Sequence, residues 1–176
     1  MLLSIIRRMR GKLNKAYDAI MQAKDSGKEE LDLTFAKIES VPPQIGELTQ
    51  LKSLILRGNS LSSVPPEIGR LKSLRVLDLS FNTWIVNLPQ EMEQLTALEE
   101  LNLHLNRITR VPRFLTNLPN LKKLDLSSNA LTTLPAEMKN LVSLRELTLH
   151  NNKFTKLPNV LFELPQLEDV YKRQFE

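Results

Sequence analysis

The chain contains no cysteine, which excludes a disulfide framework and any thiolate-based metal site. It contains no N-x-[ST] glycosylation acceptor. Together these absences point to a reducing, cytoplasmic setting. No apolar run approaches the roughly 20 residues that a membrane-spanning helix needs. The motifs GxxxxGK[ST], GxGxxG, HExxH and GxSxG are all missing, so the sequence offers no phosphate cradle, zinc-protease helix or nucleophile elbow. No catalytic residue, cofactor site or metal site is therefore expected.

The chain is 176 residues long, which suggests one domain, and its net charge of +4 is unevenly distributed. Residues 1–28 hold seven Lys/Arg and two Asp/Glu, a balance of +5, whereas residues 29–176 hold 17 and 18, a balance of −1. The basicity belongs to the N-terminal segment, so the high isoelectric point does not argue for nucleic acid. Residues 1–12 run from apolar to basic, the reverse of a signal peptide. They fit a frayed terminus, the end of a longer capping helix, or a basic attachment to an anionic membrane or partner. Residues 13–25 place Leu13, Ala16, Tyr17, Ile20 and Ala23 at helical steps, with Gly27 as the stop.

What is abundant is leucine at a fixed interval. Between Leu121 and Ser143 the chain reads LKKLDLSSNALTTLPAEMKNLVS, and the same pattern recurs 23 residues earlier and 23 residues later. The copies run 28–50, 51–73, 74–97, 98–120, 121–143 and 144–166. The first is degenerate, with Lys28 in a leucine slot and Ala36 in the asparagine slot. Such a period marks a solenoid, whose coils each bury an apolar face only against their neighbours. Each xLxL segment predicts a short strand with its leucines inward and the intervening side chains outward. Pro42, Pro65, Pro89, Pro112, Pro135 and Pro158 have no amide hydrogen and fix φ, which keeps them out of the sheet and on the convex return. There is room there for about one helical turn, hence for 3₁₀ or irregular segments.

The LxxLxLxxNxL core resembles the leucine-rich-repeat family. Its 23-residue form with near-invariant LP, as in VPPQIGELTQLKSL and VPPEIGRLKSLRVLDLSFN, is similar to the intracellular Ras-suppressor-like class, with its plant Ras-group and bacterial relatives. The resemblance implies an α/β solenoid. The expected form is a right-handed arc with a parallel concave β-sheet, short 3₁₀ or irregular convex segments and an N-terminal capping helix. It also implies that Asn59, Asn82, Asn106, Asn129 and Asn152 point inward and bond the turn after each strand. This role agrees with the need of buried amide groups for partners. It further implies a protein-recognition function without identifying the partner; a non-enzymatic monomer is expected, with a small GTPase or other signalling protein as the candidate class of partner.

The expected concave face carries parallel columns of outward residues. Glu30, Asp32, Asp78, Glu100, Asp125 and Glu146 make its strand-start side acidic, while Lys37, Arg57, Arg107 and Lys153 make its strand-end side basic. Phe81 and Leu105 form an apolar spot between them. Arg57, Asp78, Phe81, Glu100, Asn102, His104, Leu105, Arg107, Asp125 and His150 are the candidate partner-binding residues. A mixed face with an aromatic centre suits a protein partner, although solvated side chains would give the same columns. His104 and His150 share a column two coils apart, which at about 4.8 Å per strand puts them ~10 Å apart, too far for one metal. Asp78 and Asp125 are equally separated, which does not suit a carboxylate dyad on an open, wet arc.

Two places break the period. The 74–97 copy has one extra residue near TWIVN, and Trp84 stands two after Asn82, in the leucine slot. Either Trp84 fills the core and the turn bulges around it, or the bulge exposes an apolar patch to a partner. From residue 167 the pattern fades, with Lys172 and Phe175 in the leucine and asparagine slots. That predicts an incomplete, truncated repeat over 167–176, and DVYKRQ also resembles translated adaptor read-through. A recognition arm of a larger multidomain enzyme (a Roco GTPase, kinase or ubiquitin ligase) is the alternative to a free-standing adaptor.

Overall fold

A computed structural model describes residues 15–171. Helix α1 occupies 15–25 and buries Ala16, Ile20 and Ala23 against the first coil. Tyr17, assigned by periodicity to the same face, is instead 40% exposed at its edge. Gly27 ends the helix in the left-handed region at φ 60°, and the Lys28 amide reaches back to the Ala23 carbonyl at 2.9 Å. This is the usual geometry of a glycine helix stop. A Lys24–Glu47 ion pair at 2.6 Å ties α1 to the convex side of the first coil.

Seven three-residue strands follow: β1 Glu30–Asp32, β2 Ser53–Ile55, β3 Val76–Asp78, β4 Glu100–Asn102, β5 Lys123–Asp125, β6 Glu146–Thr148 and β7 Asp169–Tyr171. They form one parallel sheet in chain order. The register pairs Leu31, Leu54, Leu77, Leu101, Leu124, Leu147 and Val170 across successive coils. The leucine two residues beyond each of Leu54, Leu77, Leu101, Leu124 and Leu147 is buried as well, so every coil adds two inward side chains to one continuous core. Full burial of one such side chain contributes about 1.5–3 kcal/mol.

The convex return is built as the prolines require. Each LP proline precedes a five-residue 3₁₀ turn: Pro43–Glu47, Pro66–Arg70, Gln90–Gln94, Arg113–Asn117, Ala136–Asn140 and Asn159–Glu163. Their φ values lie between −61° and −70° with extended ψ. In the first two turns the inward isoleucine is followed by Gly46 or Gly69, and a β-carbon there would press on the backbone carbonyl of Glu67 or Glu91 in the next turn.

The asparagine ladder joins coil to coil. Asn59 Nδ2 donates to the carbonyls of Leu33 (2.9 Å) and Leu56 (2.8 Å), one in each of two adjacent coils, while its Oδ1 accepts the Ile38 amide. Asn82, Asn129 and Asn152 repeat the arrangement. One planar amide thus satisfies three backbone groups that the turn would otherwise leave unpaired.

Trp84 does not take the leucine slot of the long coil. Ile85 does, fully buried, while Trp84 is 54% exposed. The Ile85 amide closes a tight turn onto the Asn82 carbonyl at 2.9 Å, and the Ile85 carbonyl then receives the Arg107 amide. The Ile38 and Ile108 carbonyls receive the amides of Ser60 and Ala130 in the same way. The extra residue is therefore absorbed between Asn82 and Ile85, and the indole is pushed out. The basic segment 1–12, Leu13 and the residues 172–176 lie outside the described residues.

Candidate interaction surface

The outward strand positions line a shallow concavity across β2–β6. Its pocket, about 250 Å³ and open to solvent, is lined by Ile55 and Val76 together with Asp78, Glu100, Asp125 and Glu146. That is smaller than the roughly 300–1,000 Å³ of an enclosed small-molecule site. Lys123 divides the acidic strip: its ammonium is 3.2 Å from Glu146, and that hydrogen bond, with Glu100 nearby, holds it above the ordinary lysine range.

Asp78, Asn102 and Asp125 are not simply free surface groups. Each folds one side-chain oxygen back onto the amide two residues on, at Ser80 (2.7 Å), His104 (3.0 Å) and Ser127 (2.8 Å). Asp32 does the same to Thr34. These side chains close the strand ends, a preference of Asx residues, and Asn102 Nδ2 also donates to Asp78 Oδ2 at 3.4 Å.

Immediately beyond, the chain turns through the left-handed region at Phe35, Gly58, Phe81, Leu105, Ser128 and Asn151, with φ between 49° and 67°. Phenylalanine and leucine are uncommon there, and nothing in the repeat pattern announces it. The turn swings Phe81 to the rim. Arg57 lies over the Phe81 ring, 4.2 Å from its centroid, and donates to Ser80 Oγ at 3.2 Å. Phe81 in turn meets His104 edge-on at 5.1 Å.

In the column Arg57, Ser80, His104, Ser127, His150, large and small side chains alternate. Each buried serine leaves room for the larger neighbour to lean across it. His104 Nδ1 lies 2.7 Å from Ser127 Oγ, and the His104 and His150 rings are 6.2 Å apart. The separation expected from strand spacing alone, ~10 Å, describes the backbones and not the rings. Ser127 Oγ donates to Asp125 Oδ1 at 2.5 Å, so its proton is directed at the carboxylate and not at His104. The trio is not a nucleophilic arrangement, whose hydroxyl would donate to the histidine.

The displaced Trp84 continues the rim. Arg107 covers the indole at 4.3 Å from the ring, and Val86 is exposed nearby in sequence. Glu100 is exposed and Leu105 half-buried. The structure thus gathers Arg57, Phe81 and His104 into one contacting row and adds Trp84 paired with Arg107, whereas Asp78, Asn102 and Asp125 are partly consumed by the turns.

Sequence reasoning missed two features. One is that Ile85 takes the leucine slot of the long coil and that Arg107 covers the displaced Trp84, the exposed patch itself being one of the two readings of the bulge. The other is a row of charges just before the strands: Glu29–Lys52, Arg75–Glu99–Lys122 and Arg145–Glu168, with contacts of 2.7–3.8 Å between coils. The column Glu29, Lys52, Arg75, Glu99, Lys122, Arg145, Glu168, in which an acid recurs every third coil between bases, would have revealed the second. Among the described residues no helix is long and apolar enough to cross a membrane.

The family described as "Leucine-rich repeat region" matches residues 31–129, and that described as "Leucine rich repeat" matches 119–171. Among solved structures, a leucine-rich-repeat protein of Leptospira interrogans is 37% identical over 82% of this chain and 38% of its own, with a TM-score of 0.75. The ectodomain of the Arabidopsis thaliana membrane receptor kinase GASSHO1/SCHENGEN3 is 35% identical over 81% of this chain and 18% of its own, with a TM-score of 0.70. The plant peptide hormone receptor RGFR1 is 27% identical over 76% of this chain and 22% of its own, with a TM-score of 0.68. The chain therefore spans well under half the length of these proteins. No curated protein matches it. The parallel strands, the asparagine ladder and these matches agree: the chain belongs to the leucine-rich-repeat family.

Proposed function

We propose that this chain is a non-enzymatic recognition module that binds a protein partner on its concave face, against the strand-end rim. The observation that carries this reading is the prearranged row Arg57–Phe81–His104 with the Trp84–Arg107 pair beside it. Arginine and large aromatics dominate binding energy at protein interfaces. Side chains already held by stacking lose less freedom when a partner docks. The acidic carboxylates at the strand starts then orient the partner rather than anchor it. Two of the similar structures, RGFR1 with RGF2 and GASSHO1/SCHENGEN3 with CASPARIAN STRIP INTEGRITY FACTOR 2, are complexes, which fits a surface used for recognition.

The absence of cysteine and the resemblance to the intracellular Ras-group class support a finer reading. In it, the module is a cytoplasmic, monomeric adaptor in signalling, with a small GTPase or other signalling protein as partner. The test compares proteins retained by the wild-type chain with those retained by Phe81→Ala/Arg107→Glu. A specific partner lost by the variant, whose fold is intact by circular dichroism, supports the site; an unchanged set refutes it.

A second reading rests on the lengths of the similar proteins, of which this chain spans 18–38%. In it, the repeats are the recognition arm of a larger multidomain protein. The neighbouring coding sequence decides between the two.

A further inference from the structure

We propose that His104 and His150 form a two-imidazole site for a divalent transition-metal ion on the concave rim. The sequence separates them by two coils, but the small, buried Ser127 between them lets the rings approach to 6.2 Å between centroids, tilted by 44°. Two imidazoles on one tetrahedral ion, with metal–nitrogen bonds of about 2.1 Å, have centroids roughly 5 Å apart. A closure of about 1 Å is within the reach of a small side-chain rotation, and both rings are only half-buried.

The protonation pattern favours metal at His104. Ser127 Oγ gives its proton to Asp125 Oδ1 at 2.5 Å and so accepts from His104 Nδ1–H at 2.7 Å. In the neutral imidazole this places the proton on Nδ1 and leaves the Nε2 lone pair free for a metal. An imidazole whose other nitrogen is held through a hydroxyl to a carboxylate is the outer-sphere arrangement that orients metal-ligating histidines and raises their basicity. Among the described residues no group of three or more His, Cys, Asp and Glu side chains is placed to hold an ion. The pair is therefore what the protein supplies, and water fills the remaining positions. Imidazole donors select the later first-row ions, with Cu²⁺ ahead of Ni²⁺ and Zn²⁺, over Mg²⁺ or Ca²⁺.

The experiment titrates the untagged chain with Cu²⁺, Ni²⁺ and Zn²⁺ by calorimetry, with Mg²⁺ as control. It is repeated on His104→Ala, His150→Ala and Ser127→Ala, with the fold of each variant checked by circular dichroism. The proposal expects one equivalent bound in the order Cu²⁺ > Ni²⁺, Zn²⁺, none of Mg²⁺, and loss in either histidine variant. Ser127→Ala is expected to weaken binding about tenfold, as loss of an outer-sphere partner does. Nitrogen-15 spectra should show both imidazoles shifting together on Zn²⁺ addition. Failure of the wild type to bind any of the three ions, binding that survives in either histidine variant, or a shift at one imidazole alone would overturn it.

Discussion

The Ile85 amide donates to Asn82 and leaves Oδ1 of Asn106, a buried oxygen, with no hydrogen-bond partner among the described residues. In the regular coils the equivalent oxygens of Asn59, Asn82, Asn129 and Asn152 accept the amides of Ile38, Leu61, Ile108 and Leu131 at 3.0–3.1 Å. The extra residue of the long coil therefore removes one rung from the ladder at the point where Trp84 is expelled.

This difference predicts unequal costs for the same substitution. Asn82→Ala strands the Leu61 amide, whereas Asn106→Ala strands no amide, since that of Ile85 is already bonded. The donor contacts of the two side chains match closely, each reaching a carbonyl in its own coil and one in the coil before. Asn82→Ala should be the more destabilising by about 1–3 kcal/mol, the cost of one unmet buried group. Urea unfolding of the two variants measures the difference, and equal midpoints with equal slopes would contradict it.

Gly58 and Phe35 should couple. Gly58 sits at φ 67°, and the Phe35 ring lies across the space that a β-carbon on it would need. Gly58→Ala should destabilise by about 1–3 kcal/mol, from the left-handed backbone plus the clash. In a Phe35→Ala background only the backbone part should remain. A double-mutant cycle by chemical unfolding reads the coupling. An unaltered cost in that background would mean the ring, which is 63% exposed, simply moves away.

Trp84 is the single tryptophan, so its fluorescence reports on the rim alone. An exposed indole under a guanidinium should be quenched more by iodide than by caesium, because Arg107 draws the anion. Arg107→Ala should narrow the gap between the two quenchers. Emission resistant to both would return the indole to the core.

Glu99 lies between Lys122 (2.7 Å) and Arg75 (3.8 Å), and the Lys122 hydrogen bond holds its carboxyl below the ordinary glutamate range. A depressed folded value means that the pair stabilises above the unfolded pKa and that this contribution disappears as pH falls through the folded one. Lys122→Met should raise the Glu99 titration midpoint in carboxyl-carbon NMR, leaving the smaller Arg75 effect. The pair is solvent-exposed, so added salt should shrink the wild-type shift. A midpoint unmoved by Lys122→Met would assign the shift to something else.

Much of the fold was legible because its causes are local and repeated. Leucine at two inward positions per coil, asparagine after the strand and proline on the return each solve the same problem in every coil. The long coil was misread because a 24-residue copy can be aligned two ways, and only the hydrogen bond from Ile85 to Asn82 selects one. Tyr17 was misread because helical periodicity defines a face but not where its buried edge falls. The candidate surface was legible as a set of columns and not as contacts. Whether Arg57 reaches Phe81, or His104 approaches His150, depends on which side chain stands 23 residues away and how far it leans.

The sequence by itself therefore determined the coil, its parallel stacking and the inward asparagines, since a strict period leaves each backbone one way to bury leucine and pair its amides. The tertiary structure alone decided which groups meet on the rim. Outward side chains are not constrained by the leucine period, and their positions follow from the left-handed turns and from the space their neighbours in adjacent coils leave open.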